Sequence, residues 1–382
     1  MGKILSLKAV MSYRNVMKNS LNVQNIESIL LIQLGDIGDV VLSIPSIRAL
    51  RENFPCARLM VAVREKAKEL IEDCRWVTGV IPLNKNKRGL AQEISYQVDF
   101  FSRIRNHAFD LAIDLRTGDR GAILAFLTGA SQRVGFYAHD GKVWRNRVFT
   151  HLQKIDYPLG QYVAEYYSSL MAAYHIKTDH VLPELEISEK KLKDVQQLFK
   201  DEHIPTDRAV VAIQPFSLWQ YKEWGITNYI QLIDRIISEY RVPVIITGSP
   251  DERVRAMSIS TRFGKNVFNL AGKTTIGMFA AVLKACNLFI GVDSAGMHIA
   301  AAVGTPTVTI FGPSSPASWA PRGLQHAVVY KPFSCVPCRM KGCEGKEKSR
   351  CLDELSVDEV MSAVNTQFET ILASNNEIRS AG

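Results

Sequence analysis

Residues 289–313 read FIGVDSAGMHIAAAVGTPTVTIFGP. An apolar run, Leu288, Phe289 and Ile290, breaks at Gly291, and Asp293 and Ser294 stand just before the small-residue run Ala295–Ala302. That run has helix composition and is stopped by Gly304; Pro306–Phe311 is then a second β-branched strand ending in Gly312-Pro313. Strand, tight turn, helix, strand is a βαβ unit. The free N–H groups at its helix start, beside the positive end of the helix dipole, suit an anion such as a diphosphate. On local pattern a second reading stays open, in which Asp293 or Ser294 only caps the helix.

Working outward, 382 residues suggest two domains with ample core. Hydrophobic content of 47% and charged content of 22% are those of a globular protein. No run of about 18 apolar residues appears, so no membrane-spanning helix is expected. The net charge of +8 points to nucleic acid, an anionic membrane or anionic small substrates. No aromatic-plus-arginine nucleic-acid module is found, which leaves the last two. Residues Met1–Val23 mix Lys3, Lys8, Arg14 and Lys18 with apolar residues, as an amphipathic surface helix or a frayed extension would. They lack a signal peptide's apolar core and cleavage site, so a reducing cytoplasm is expected.

The first domain opens with the strand Ile29–Ile32, the turn Gln33–Asp39 and a helix over Val40–Asn53 with Pro45 in its first turns. Gly38 lets the backbone approach a ligand, and Asp39 at the helix start is either a functional carboxylate or a cap. Asp36 is an extra carboxylate nearby. Strands at 57–63, 79–82 and 109–115 alternate with helices at 64–74, 90–106 and 122–128, and Arg133–Phe136 follows. Arg116 and Arg120 lie in a strand-end loop, where guanidinium pairs hold anions or simply face solvent. The loop Tyr137–Gln153, with Lys142, Arg145 and Arg147, adds more basic charge that is expected to face the same anion.

A connector around Asp179–Glu186 and the charged helix Ser188–Glu202 precede a second β/α series. The strand Ala209–Ile213 leads into a loop holding Ser217, Lys222 and Trp224, then a helix over Ile226–Tyr240. Pro243–Gly248 is a strand, and Asp251 and Glu252 open the next helix; Asn266–Leu270 and Thr275–Ala285 follow. Leu355–Leu372 closes the chain as an amphipathic helix, and Ala373–Gly382 reads as a disordered tail.

GVDSAGMHIAAAVGTPTVTIFGP resembles the nucleotide-sugar site of the ADP-heptose:lipopolysaccharide heptosyltransferase family, with Ala295 where members often carry Gly. Gly38, Asp39, Val40 and Pro45 are similar to that family's first loop, and DLAIDLRTGDRGAILAFLTGA with RVGF to its acceptor-side domain. The resemblance spans roughly Ile29–Leu372. It implies an α/β GT-B fold: two doubly wound Rossmann-like domains facing a cleft, an acceptor domain at 29–185 and a donor domain at 186–354. The implied enzyme is an inverting glycosyltransferase with no required cofactor. Its donor would be ADP-L-glycero-D-manno-heptose and its acceptor the phosphorylated inner core of lipopolysaccharide, at the cytoplasmic face of the inner membrane. Asp39 would be the general base, with Gly38, Arg116 and Arg120 toward the acceptor. Ser217, Lys222, Glu252, Asp293, Ser294, Ala295, Gly296 and His298 would hold the donor, and Trp224 would pack behind them. An epimerase of the same fold, a sugar-nucleotide binder or a transferase of another nucleotide sugar are the alternatives.

Cys335, Cys338, Cys343 and Cys351 form C-x2-C-x4-C-x7-C, which reads either as ordinary thiols of a family loop or as a structural zinc site.

Overall fold

A computed structural model describes residues 20–84, 89–139, 143–158 and 160–380, with backbone only at 90, 91, 93, 94, 143 and 372–380. Most of the N-terminal extension, and Lys142, lie outside the described residues. The chain divides into two units, Met1–Pro183 and Glu184–Gly382.

Unit 1 runs β1 (Ser28–Gln33), α1 (Ile37–Leu42), α2 (Ile44–Asn53), β2 (Arg58–Arg64), α3 (Lys68–Ile71), β3 (Gly79–Leu83), α4 (Leu90–Asn106), β4 (Leu111–Asp114), α5 (Asp119–Leu127), β5 (Gln132–Phe136), α6 (Val143–Val148), β6 (His151–Gln153) and α7 (Val163–Ala172). Its sheet is parallel throughout, in the order β3-β2-β1-β4-β5-β6. A parallel strand covered on both faces must be apolar on both. β1, SILLIQ, is accordingly buried at all six positions.

Unit 2 runs α8 (Glu189–Asp201), β7 (Val211–Gln214), α9 (Ile226–Tyr240), β8 (Val244–Ile246), α10 (Arg253–Ser260), β9 (Val267–Asn269), α11 (Ile276–Ala285), β10 (Leu288–Val292), α12 (Ala295–Ala302), β11 (Thr307–Ile310), α13 (Pro316–Trp319), β12 (His326–Val329), α14 (Arg350–Asp353) and α15 (Val357–Ser380). Its sheet is also all parallel, ordered β12-β11-β10-β7-β8-β9. α15 packs on β11, β12 and α9, burying Val360, Met361, Val364 and Phe368 in this unit's core.

Both units are therefore doubly wound. In unit 1 the connections leave β1 and β4 in opposite directions; in unit 2 the same happens at β7 and β10. The carboxyl ends of such a strand pair open a crevice, where ligands of this architecture bind.

Three elements differ from the sequence reading. The helix expected over Val40–Asn53 is two helices meeting at Ser43, because Pro45 cannot donate to the preceding turn and instead sits in the first turn of α2. The loop expected over Tyr137–Gln153 contains α6 and β6. α6 is built around polar groups that are satisfied internally. The Asn146 side chain accepts from Ala138 N–H at 3.0 Å and donates to Ala138 O at 3.0 Å. The tail expected to be disordered continues α15 as helix to Ser380. Among the described residues no helix is long and apolar enough to cross a membrane.

Candidate active site

The unit 1 constellation stands on the β1 and β4 ends. Asp39 is the third residue of α1, and its Oδ2 accepts the Asp36 N–H at 2.9 Å, so it closes a capping box. It does more than cap. Arg116, from the loop after β4, donates to the same oxygen at 2.6 Å, and Tyr167 on α7 donates its hydroxyl to Oδ1 at 2.6 Å. The carboxylate is buried, its side chain 10% exposed, while Arg116 is 42% exposed and reaches solvent. Burial works against the charge on Arg116, but Asp39, Tyr167 and Asp36 outweigh it and hold the guanidinium above its ordinary pKa. Burial, then the charge of Asp39, pushes the Tyr167 phenol well above its usual range. Gly35 is required here: a Cβ on it would run into Asp39 and the Arg116 guanidinium. Asp36 is turned outward, paired with Arg64 at 2.9 Å and Lys66 at 3.2 Å.

The loop carrying Arg116 is held from below. Arg145 is fully buried and donates to Asp114 Oδ2 at 3.3 Å, Arg116 O at 2.6 Å and Phe136 O at 2.8 Å. This corrects the expectation that Arg145 adds surface charge for an acceptor: it is an internal strut. Burial raises the Asp114 carboxyl to about 7 against the pull of Arg145 and of the Arg116 N–H. Gly121 leaves the room that carboxyl occupies. Arg120 is exposed on α5 and has no ion-pair partner among the described residues. Gly38 lies within α1, half-buried.

The unit 2 constellation stands on the β7 and β10 ends. Lys222 donates to Asp293 Oδ2 at 2.6 Å, and the two are 22% and 7% exposed. Ser294 occupies the N-cap position of α12 without a side-chain cap bond, so the capping alternative does not describe its hydroxyl. That Oγ and the Gln214 Oε1 are buried polar atoms without a partner among the described residues. The Gln214 amide lies against Gly296, where a Cβ would overlap it. Ser217 is half-buried and accepts from Trp219 N–H at 3.3 Å. A pocket of about 250 Å³ is lined by Tyr221, Lys222, Ser314, Trp319, Arg339 and neighbours. His298 is buried, 6.2 Å between ring centres from Trp319. Trp224 is buried and donates to Leu355 O at 2.8 Å.

Glu252 ends the short helical turn Pro250–Glu252 that follows β8. Its Oε2 accepts the Ser249 N–H at 2.6 Å in a capping box. Glu223, adjacent to Lys222, is tied to Arg255 at 3.1 and 2.5 Å and accepts Ser217 N–H at 3.2 Å.

The four clustered cysteines line one pocket of about 240 Å³. Burial, with the neighbouring thiols, raises Cys351 to about 11, so it is held as the neutral thiol. Among the described residues no three His, Cys, Asp or Glu side chains are arranged to hold a metal ion, so no metal is assigned to this loop.

Sequence reasoning did not reach Tyr167, Gln214 or Gln33, whose Oε1 accepts the Gly35 N–H at 3.1 Å in the turn that leads to Asp39. Tyr167 sits 128 residues from the carboxylate it serves, on a helix with no motif of its own. A signal for the glutamines was present: each ends the central strand of its series, at Gln33 and Gln214.

Comparison with known proteins adds the family. The family model for glycosyltransferase family 9 (heptosyltransferase) matches residues 98–348. Lipopolysaccharide heptosyltransferase 3 of Escherichia coli is 26% identical over 287 residues, covering 74% of this chain and 82% of that protein. A family 9 glycosyl transferase from Veillonella parvula has a similar fold, with a TM-score of 0.78, 21% identity and coverage of 93% and 100%. The ADP-heptose lps heptosyltransferase II of E. coli follows at TM-score 0.74, 22% identity and coverage of 91% and 99%. With the family model matching well over half of its length, this chain is a glycosyltransferase and belongs to family 9, the heptosyltransferases.

Proposed function

We propose that the protein transfers heptose from ADP-L-glycero-D-manno-heptose to the phosphorylated inner core of lipopolysaccharide, with inversion, and that it works peripherally on the cytoplasmic face of the inner membrane. The observation that carries this reading is that the two chemical constellations stand at the switch points of their two sheets. One is a buried carboxylate clamped by a guanidinium and a phenol; the other is a lysine beside a helix N-terminus with unpartnered polar atoms.

In this reading Asp39 takes the acceptor hydroxyl's proton as that oxygen attacks the anomeric carbon. A carboxylate oxygen accepts two hydrogen bonds, and Oδ1 accepts one, from Tyr167. The bond from the anomeric carbon to the departing phosphate oxygen breaks, and its electron pair leaves with ADP. Lys222, Ser217, the Ser294 hydroxyl and the N–H groups opening α12 at Ala295 and Gly296 stabilise that charge. Asp293 aims the Lys222 ammonium, His298 backs the helix, and Glu252 meets the nucleoside side of the donor. Gly38, Arg116 and Arg120 receive the acceptor, whose phosphates match guanidinium geometry.

Lys222→Ala is expected to weaken ADP binding and to lower kcat/KM further, by about 2–4 kcal/mol in all, as for loss of a charge-assisted donor. Calorimetric titration of ADP together with steady-state rates checks this. Equal affinity and equal turnover in the variant would remove Lys222 from the site.

A further inference from the structure

The outer surface of the α4–α5–α6 layer of unit 1 is unlike the rest of that unit. In the sheet order β3-β2-β1-β4-β5-β6, the crossovers β3→β4, β4→β5 and β5→β6 all run the same way. Right-handed crossovers then put α4, α5 and α6 on one face of the sheet. The crossovers β1→β2 and β2→β3 run the opposite way and put α1, α2 and α3 on the other. The packing agrees: α5 touches both α4 and α6, while α7 packs on α1 and α2.

Among the described residues, unit 1 exposes eight large apolar side chains, and five of them lie on this layer: Val98, Phe101, Ile123, Phe126 and Trp144. None lies on α1, α2, α3 or α7. They fall on outward stripes, Val98 and Phe101 on α4 and Arg120, Ile123 and Phe126 on α5, spaced to share a helix side. Phe126 is 59% and Val98 63% exposed.

The exposed charge described on these helices is mostly positive. Arg103, Arg105, Arg120 and Arg147 are exposed there; the one exposed carboxylate among the described side chains of the three helices, Asp99, is paired with Arg103 at 3.1 Å. Arg105, Arg120 and Arg147 have no ion-pair partner among the described residues. Exposed apolar and aromatic side chains that share three helices with arginines lacking an ion-pair partner among the described residues match a bilayer interface. The rings enter the headgroup boundary while guanidiniums stay with anionic headgroups. A protein partner of matching chemistry would need a row of carboxylates around an apolar centre, whereas an anionic bilayer supplies both layers at once.

We propose that this face of α4, α5 and α6 is the surface by which the protein docks on an anionic phospholipid membrane. It rests on the proposed reaction only in that Arg120, assigned there to the acceptor, is on the same stripe; vesicle binding needs neither donor nor acceptor, so it can fail or succeed independently of the reaction.

The test is co-sedimentation of the full-length protein with vesicles of phosphatidylcholine alone and with about one third phosphatidylglycerol. Wild type is expected on the anionic vesicles, with binding reduced by high salt. Phe126→Ser combined with Trp144→Ser should lower binding about tenfold or more, and Arg147→Gln about fivefold. Both variants should melt with wild type, since these side chains are exposed. Wild type failing to bind anionic vesicles, or variants binding as wild type does, would overturn the proposal. So would a concentration-dependent dimer, seen without lipid by sedimentation velocity and lost in the double variant, because the face would then be covered by a second copy of the chain.

Discussion

Asp39→Asn is expected to bind ADP-heptose almost as wild type does and to turn over about 100-fold or more slowly, the size of a general-base contribution. The substitution suits the test because the surroundings can accept an amide. Its oxygen can stay with the Asp36 N–H and Arg116, which only donate. Its NH2 then faces Tyr167, whose hydroxyl can turn from donor to acceptor. Shape and packing persist, and the proton acceptor is lost. Calorimetry for the donor and initial rates for transfer separate binding from chemistry, and near-normal turnover would remove Asp39 from the role of base.

The second large effect is on stability. Arg145→Met keeps an unbranched, buried side chain but leaves Asp114 without its countercharge and the carbonyls of Arg116 and Phe136 without their donor. Breaking a buried pair from one side costs about 3–5 kcal/mol. For a unit of this size that lowers the melting transition by on the order of 10 °C. The effect has a definite pH sign. The Asp114 carboxyl is raised in the folded state from 3.8 to about 7, so the stability linked to its proton is present at low pH and is lost as pH rises through that window. Without Arg145 the neutral form is favoured still more. The deficit should be smaller near pH 5, where the carboxyl is protonated in either protein and the two orphaned carbonyls remain the main cost, and largest above pH 8. Thermal melts of both proteins from pH 5 to 8.5 measure it; a deficit independent of pH would mean the two side chains are not coupled as described. The Arg116 loop loses its strut in the same variant, so transfer activity should fall as well.

Why these two groups differ in legibility follows from how far apart their determinants lie. The βαβ unit at 288–310 is local: β-branched strands, a glycine stop and a small-residue helix occupy consecutive positions, and α12 occupies Ala295–Ala302 as read. Asp39 and Lys222 were reachable because each follows a strand end in a recognisable loop. Their partners were not. Lys222 and Asp293 are 71 residues apart, and Arg116 lies 77 residues from Asp39. Only the strand order, with β4 beside β1 and β10 beside β7, makes them neighbours. Arg145 misled for a related reason. A basic residue among Lys142 and Arg147 resembles surface, and only the sheet behind it reveals the buried carboxylate it serves. Glu252 shows a limit of local pattern: a helix-start glutamate looks the same in sequence whether or not it closes a capping box, and here it closes one.

The most direct test of the account is transfer itself. Purified protein is incubated with ADP-L-glycero-D-manno-heptose and a panel of truncated lipopolysaccharide cores, and the lipid products are weighed by mass spectrometry. The expected result is the mass of one heptose added to at least one phosphorylated core, with release of an equal amount of ADP. Transfer from a different nucleotide sugar with none from ADP-heptose, or conversion of the donor to an epimer without any acceptor, would contradict it.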